Sequence, residues 1–269
     1  MANLSEKLPE FKFPPLNEVV IGVQFTAPKA YQQIYAGDVW ALYRDKFPEV
    51  EELSPIPPSF ETFGLPQGQP INFGLITGAL HSRFWFVSEK RDHLIQFQSD
   101  RLLHNWRKAG IQGDEYPRFE SIIKDFEGEL GALNLFMKKI GEADLAINQC
   151  EISYINHIST HDGSELNPEF WFKIVNGTAF GADDITATFR RVIRDEKGAP
   201  QGRLICDLST AVDAGGQPLL VATITARGVP KSGSIKDALE FIQTGRQSIV
   251  RLFADITTDS AHKAWGRTQ

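Results

Sequence analysis

The feature that most constrains this chain is a repeated order of elements. A β-α-βββ-α pattern runs through it twice, once in each half. Each copy supplies an antiparallel sheet with a face to bury and a long amphipathic helix to bury it, so the expected fold class is α+β. The halves are expected at 1–148 and 149–269 of the 269 residues, as a pseudo-duplication. They either share one continuous sheet or close as two lobes around a seam.

In the first half, prolines hold residues 8–15 extended. A β-branched run predicts a strand over 19–25. Apolar residues at helical spacing predict a helix over 31–47, stopped by Pro48, with a Pro-rich turn over 54–58. Strands are expected over 71–77, 83–88 and 94–100, the last two as a hairpin across Glu89-Lys90-Arg91-Asp92. In the last of them Ile95 and Phe97 alternate with Gln96 and Gln98, the signature of a half-buried strand. From Phe119 to Ile140 one apolar stripe predicts a helix over 117–140.

The second half starts with a strand over 150–158. A loop and the aromatic stretch 170–175 replace the first helix. A meander follows over 185–193, 203–212 and 219–227. Ser234 with Asp237 resembles a capping box and opens a helix over 235–253. A short last helix starts at Thr257 or Thr258 and ends at Gly266.

Composition limits the function classes. Hydrophobic residues make up 42% and aromatic residues 11%, with nineteen Phe and five Trp, enough for an aromatic-heavy core. A net charge of −6 argues against a broad nucleic-acid footprint. Residues 1–15 lack the apolar run of a signal peptide, and no run reaches the about 20 apolar residues of a spanning helix. Cys150 and Cys206 lack CxxC spacing and read as buried thiols of a reducing compartment, so a cytoplasmic location is expected.

Several stretches are similar to a family of uncharacterised bacterial proteins of about this length, sporadically distributed among genomes. They are Phe13-Pro14-Pro15 with Glu18-Val19-Val20 and Gly22-Val23-Gln24-Phe25, then Gln96-Phe97-Gln98 with Asn105-Trp106-Arg107-Lys108. The others are 150–158 and Gly245-Arg246 through Thr257-Thr258, His262 and Trp265-Gly266-Arg267. The resemblance spans the chain. It implies a bacterial, cytosolic protein with a dispensable role on a mobile or defence-related locus, and it adds nothing about activity. The element order is also similar to TATA-binding-protein-like and helix-grip folds, an analogy that carries fold and not function.

The candidate chemistry is sparse. Period 2 puts Glu151, Ser153 and His157 on one strand face, the elements of acid–base or nucleophilic chemistry. Ser153 and His157 are nevertheless roughly 13 Å apart, too far for a hydrogen bond. His157 and Glu151 are therefore weak catalytic candidates, and an exposed polar face explains them as well. Arg101, His104, Asn105, Trp106, Arg107 and Lys108 form an aromatic-basic cluster. Within it Arg101, Asn105, Trp106 and Arg107 are the ligand-binding candidates, with Asn156 from the later strand. The ordinary alternative is a Trp anchored in the core beside solvated cations. Arg190, Arg191, Arg194 and Lys197 read as a solvated strand and turn. Residues 64–68 read as a turn. His81, His93 and His161 lack ligand spacing, so no metal or cofactor is expected.

These readings lead to a non-enzymatic binding or interaction protein. It is expected to work through a partner, in the simplest case a second copy of itself in a homodimer and otherwise another protein, with a small-molecule ligand as the further option. The interface would be Phe11 and Phe13 of the N-terminal arm with His262 and Trp265 of the last helix, the ordinary alternative being that this helix docks Trp265 into its own core. The alternatives are an enzyme, hydrolase-like, with a dispersed site at the seam, and a nucleic-acid binder on a curved sheet. The lining of the concave sheet face discriminates among them.

Overall fold

The computed structural model describes residues 7–61, 63, 81–110, 115–159, 167–175 and 184–268. The expected strand over 71–77, the turn over 64–68 and His161 lie outside them. Among the described residues the fold is α+β, built on one antiparallel sheet of nine strands. In chain order these are β1 (Leu16–Phe25), β2 (Glu49–Leu53), β3 (Arg83–Val87), β4 (His93–Gln98), β5 (Arg101–Arg107), β6 (Ile147–Ser159), β7 (Thr186–Arg194), β8 (Pro200–Val212) and β9 (Pro218–Gly228). Their order across the sheet is β2-β3-β4-β5-β1-β6-β9-β8-β7. β1 and β6 pair along nearly their whole length, so the sheet runs unbroken between the N-terminal and C-terminal residues.

Strand alternation decides which face each residue takes. Val19, Ile21, Val23 and Phe25 of β1 turn to one face, where they join Cys150, Ile152 and Ile158 of β6 and Ala222, Ile224 and Ala226 of β9 in the core. The helices α2 (Phe119–Lys139) and α4 (Ile235–Ile256) cover this face, α2 against β5 and α4, and α4 against β6 and β9. The apolar stripes read from the sequence are the buried faces of both helices apart from Ile123, Ile140 and Ile235, which are half-buried. Ser234 caps α4, its hydroxyl accepting from the Asp237 N–H. Thr258 caps the short α5 (Asp259–Ala264) in the same way. Cover stops short of the β7 edge, where Phe189 is 42% exposed.

Three segments differ from the sequence reading. Residues 31–47 form a 3-10 turn followed by α1 (Ala36–Ala41), with turns over the remainder. Glu49–Leu53, for which the sequence predicts no strand, is an edge strand. Residues 101–107, the aromatic-basic cluster that follows the expected strand over 94–100, are themselves the full strand β5, paired with β4 and β1. A further short helix, α3 (Pro168–Trp171), occupies the aromatic stretch after β6.

The N-terminal arm is fixed to the C-terminal tail of its own chain. The Lys12 and Phe13 amides donate to the carbonyls of Gly266 and Trp265, and the Thr268 amide donates to Glu10. Phe11 packs edge-on against Phe253 and Trp265, and Trp265 stacks on Trp171 at 5.3 Å.

Candidate functional site

The sheet face away from the helices is polar and only partly open. Here Gln98, Arg101, Gln24 and Gln149 form one row across β4, β5, β1 and β6. The next row contains Gln96, Leu103, Gly22, Glu151, Arg227 and Arg203. A strap after β2 crosses these rows. The Gln98 carboxamide bonds both main-chain groups of Ile56, accepting from N–H at 2.9 Å and donating to C=O at 3.0 Å. Gln24 does the same with Ser59, accepting at 3.0 Å and donating at 2.6 Å. Further along, Glu61 accepts from Arg203 at 2.7 Å, and Phe63 lies against the same guanidinium. The spacing suits an extended strap: two strand separations are about 9.6 Å, close to three extended residues.

Between strap and sheet lies a cavity of about 150 Å³, walled by Ile56 and Ser59 above and by Gly22, Arg101, Gln149 and Arg227 below. Gly22 makes room for Leu103 beside it, because a Cβ at that position would stand 2.6 Å from the Leu103 Cγ. The charged walls are already paired. Asp100 accepts two hydrogen bonds from Arg101, at 3.0 and 3.1 Å. Arg227 pairs with Glu151 at 2.5 Å and donates to the Ser59 hydroxyl at 3.1 Å. Gln149 is different. It is 2% exposed, and neither its Oε1 nor its Nε2 has a partner.

A second cavity, of about 110 Å³, lies on the helix face of the same central strands. Leu16, Ile224, Ile249 and Phe253 give it apolar walls, and Tyr116, Tyr154, Asn156 and Arg246 its polar ones. The Tyr116 and Tyr154 hydroxyls lie 3.0 Å apart, and Asn156 donates to the Ala222 carbonyl at 3.1 Å. Burial pushes both phenols up, so both remain protonated at neutral pH.

These cavities divide the residues nominated from the sequence. Arg101 lines the open-face cavity. Trp106 is 1% exposed on the opposite face, 5.1 Å from the Tyr116 ring, where it backs the second cavity that Asn156 lines. Asn105 sits in a closed chain, accepting from Gln96 and donating to Glu18. Arg107 donates to the Arg91 carbonyl at 2.9 Å, bracing the β3–β4 turn. The aromatic-basic cluster therefore does not converge on one ligand, because strand alternation sends Trp106 away from Arg101, Asn105 and Arg107.

Glu151 is held by Arg227. His157, exposed, is six residues further along the strand, about 20 Å away. The two do not share a site. Of the interface candidates, Phe11, His262 and Trp265 pack together, and Phe13 alone is strongly exposed at 71%.

One constellation has no sequence signal. His93 Nδ1 lies 2.9 Å from His104 Nε2, and His104 Nδ1 lies 2.9 Å from a Glu129 carboxylate oxygen. The three come from β4, β5 and α2. Their separation in sequence hides them, although the His104 position, buried between Leu102 and Trp106 by alternation, hints at a satisfied polar partner. Burial lowers the His93 pKa, followed by the nearby His104. The relay borders neither cavity. Among the described residues no group of three or more His, Cys, Asp or Glu could hold a metal ion, and no helix is long and apolar enough to cross a membrane.

No protein-family model matches the chain, and no curated protein matches it.

Proposed function

We propose that this protein is a non-enzymatic binding protein that holds a small, neutral, amide-edged molecule between the strap and the open face of the sheet. The observation that carries the reading is Gln149, a carboxamide buried at a cavity wall with its donor and its acceptor both unused. Leaving such a group unpaired costs about 1–3 kcal/mol, so an occupant with a matching acceptor–donor pair gains what the empty site lacks. In the same row Gln98 and Gln24 already grip main-chain amides through such paired bonds. The surrounding cations carry their own anions, which favours a neutral ligand over an anion. A cavity of about 150 Å³ accepts a six-membered ring.

The same face weighs against the alternatives. Its arginines alternate with carboxylates and do not form the basic strip of a nucleic-acid binder. The His–Glu relay lies away from both cavities, which favours a structural role over an enzyme site. Counted outward from the β1–β6 pair, β5, β4 and β3 answer β9, β8 and β7, with β2 an extra edge strand, an order that supports reading the halves as a pseudo-duplication. The free, buried Cys150 and Cys206 and the family resemblance support a bacterial cytosol.

The test is thermal denaturation with nicotinamide and benzamide, using benzoate as the charged control. The amides are expected to raise the midpoint of the native protein. Gln149→Leu should abolish that rise while itself gaining about 1–3 kcal/mol, because it removes an unpaired buried amide. Amide binding that survives Gln149→Leu, or none by the native protein, would contradict the reading.

A further inference from the structure

The second cavity carries an inference independent of the first. We propose that it is a binding site for a small aliphatic carboxylate, with the carboxylate at Tyr116 and Arg246 and the hydrocarbon chain against Leu16, Ile249 and Phe253.

Donors outnumber acceptors at the polar end of this cavity. Arg246 has donors only. It donates to the Tyr154 hydroxyl, which lies 3.0 Å from that of Tyr116. Two phenolic protons are present, and one is used between the two rings whichever hydroxyl donates. The other has no acceptor among the described residues. The Arg246 Nε–H is likewise buried with no partner. Two unspent donors, one on a cation, therefore line a cavity whose other walls are largely apolar. A ligand that satisfies both must bring acceptors, and a carboxylate brings two oxygens and the complementary charge.

The local charges permit this. Arg246 stacks on the Phe119 ring at 4.9 Å and meets one carboxylate, Glu120, at 3.4 Å. Glu120 is 70% exposed, so water screens much of its field. Arg118 and Glu10, both exposed, also line the cavity with opposite charges. Trp106 holds the Tyr116 ring from behind. The site is thus a preformed polar end on an apolar slot, the usual anatomy of a small-ligand pocket.

The experiment is saturation-transfer NMR on the full chain with straight-chain carboxylates from acetate to octanoate, and with the corresponding alcohols as the neutral arm. Binding is expected at an intermediate chain length, about tenfold tighter for carboxylate than for alcohol. Tyr116→Phe keeps the ring against Trp106 and should weaken binding about five- to tenfold. Arg246→Gln should weaken it further. If that variant misfolds, Arg246→Lys retains the charge, loses the Nε–H, and should still bind more weakly. Gln149→Leu should leave carboxylate binding unchanged, which separates this site from the open-face cavity. The proposal is overturned if no carboxylate binds, if alcohols bind as tightly, or if Tyr116→Phe and the Arg246 variants bind like the native protein.

Discussion

His262 shows how much one side chain can be asked to do near the chain end. The Thr257 hydroxyl donates to the Phe253 carbonyl at 2.6 Å, so its oxygen is left to accept from His262 Nε2–H at 2.8 Å. Nδ1 in turn accepts from Arg267 at 3.1 Å. The ring is therefore fully bonded when neutral, and a proton on Nδ1 would face a guanidinium. Burial first, then Arg267 and Lys173, hold its pKa below the ordinary 6.5, opposed by Asp259 and a bond with the Ala254 backbone. The unfolded chain consequently binds this proton more readily than the folded one. Stability is fully present above pH 6.5 and falls as pH drops through the depressed folded value. Thermal midpoints between pH 7.5 and pH 5 should decline in the native protein and decline less in His262→Gln. Equal slopes would remove His262 from the account, since His93 and His157 shift in the same direction.

Among the elements, α4 was the most legible. Its stripe, its Ser234 cap and its seat on the sheet all follow from periodicity and one hydroxyl. Gly245 was not legible in that way. A Cβ there would stand 2.8 Å from Ile152 Cγ2 and 3.0 Å from the Ala226 Cβ. Helix propensity alone favours Gly245→Ala by about 1 kcal/mol. Overpacking against two fully buried neighbours opposes it by about 1–3 kcal/mol. The clash should win, and urea unfolding should show Gly245→Ala to be the less stable protein. A gain would mean that α4 can lift from the sheet at no penalty.

β5 shows why an element goes unread. Leu102 and Trp106 alternate correctly, but His104 stands between them where an apolar residue is expected. It is buried because Glu129, twenty-five residues later, bonds its ring. A window moved along the sequence sees a charged cluster and no strand. The contact between the arm and α5 is hidden from a local reading for a related reason. Extended prolines and an amphipathic end suggest a surface for another chain, and nothing local says that Phe11 and Trp265 find each other. That contact predicts a stability effect without an assembly effect. Trp265→Ala should cost about 3–5 kcal/mol in denaturant unfolding, as for other buried Trp truncations. A variant of native stability that changes only association would return Trp265 to an interface.

At the scale of the molecule, one sheet carries a cavity on each face of β1, β6 and β9, and the two differ in chemistry. The open-face cavity has a neutral carboxamide with donor and acceptor unused, whereas the helix-face cavity has donors unused beside a cation. The α+β class and both long helices were readable because periodicity is local. The cavities were not, because each is assembled from strands far apart in sequence. Gln24, Gln98 and Gln149 are ordinary residues until strand order sets them in one row. The single legible trace was the alternation of Gln96 and Gln98 in β4, which marked a polar sheet face without saying what covers it.

The most direct test of the open-face site is the side-chain amide signal of Gln149 in a proton–nitrogen NMR spectrum, assigned by its loss in Gln149→Leu and followed during titration with nicotinamide. The account predicts a saturable shift of the Gln149 Nε2 protons, with the Arg246 Nε signal unmoved. A Gln149 signal that stays fixed while nicotinamide binds elsewhere, or that does not respond at any concentration, would contradict it.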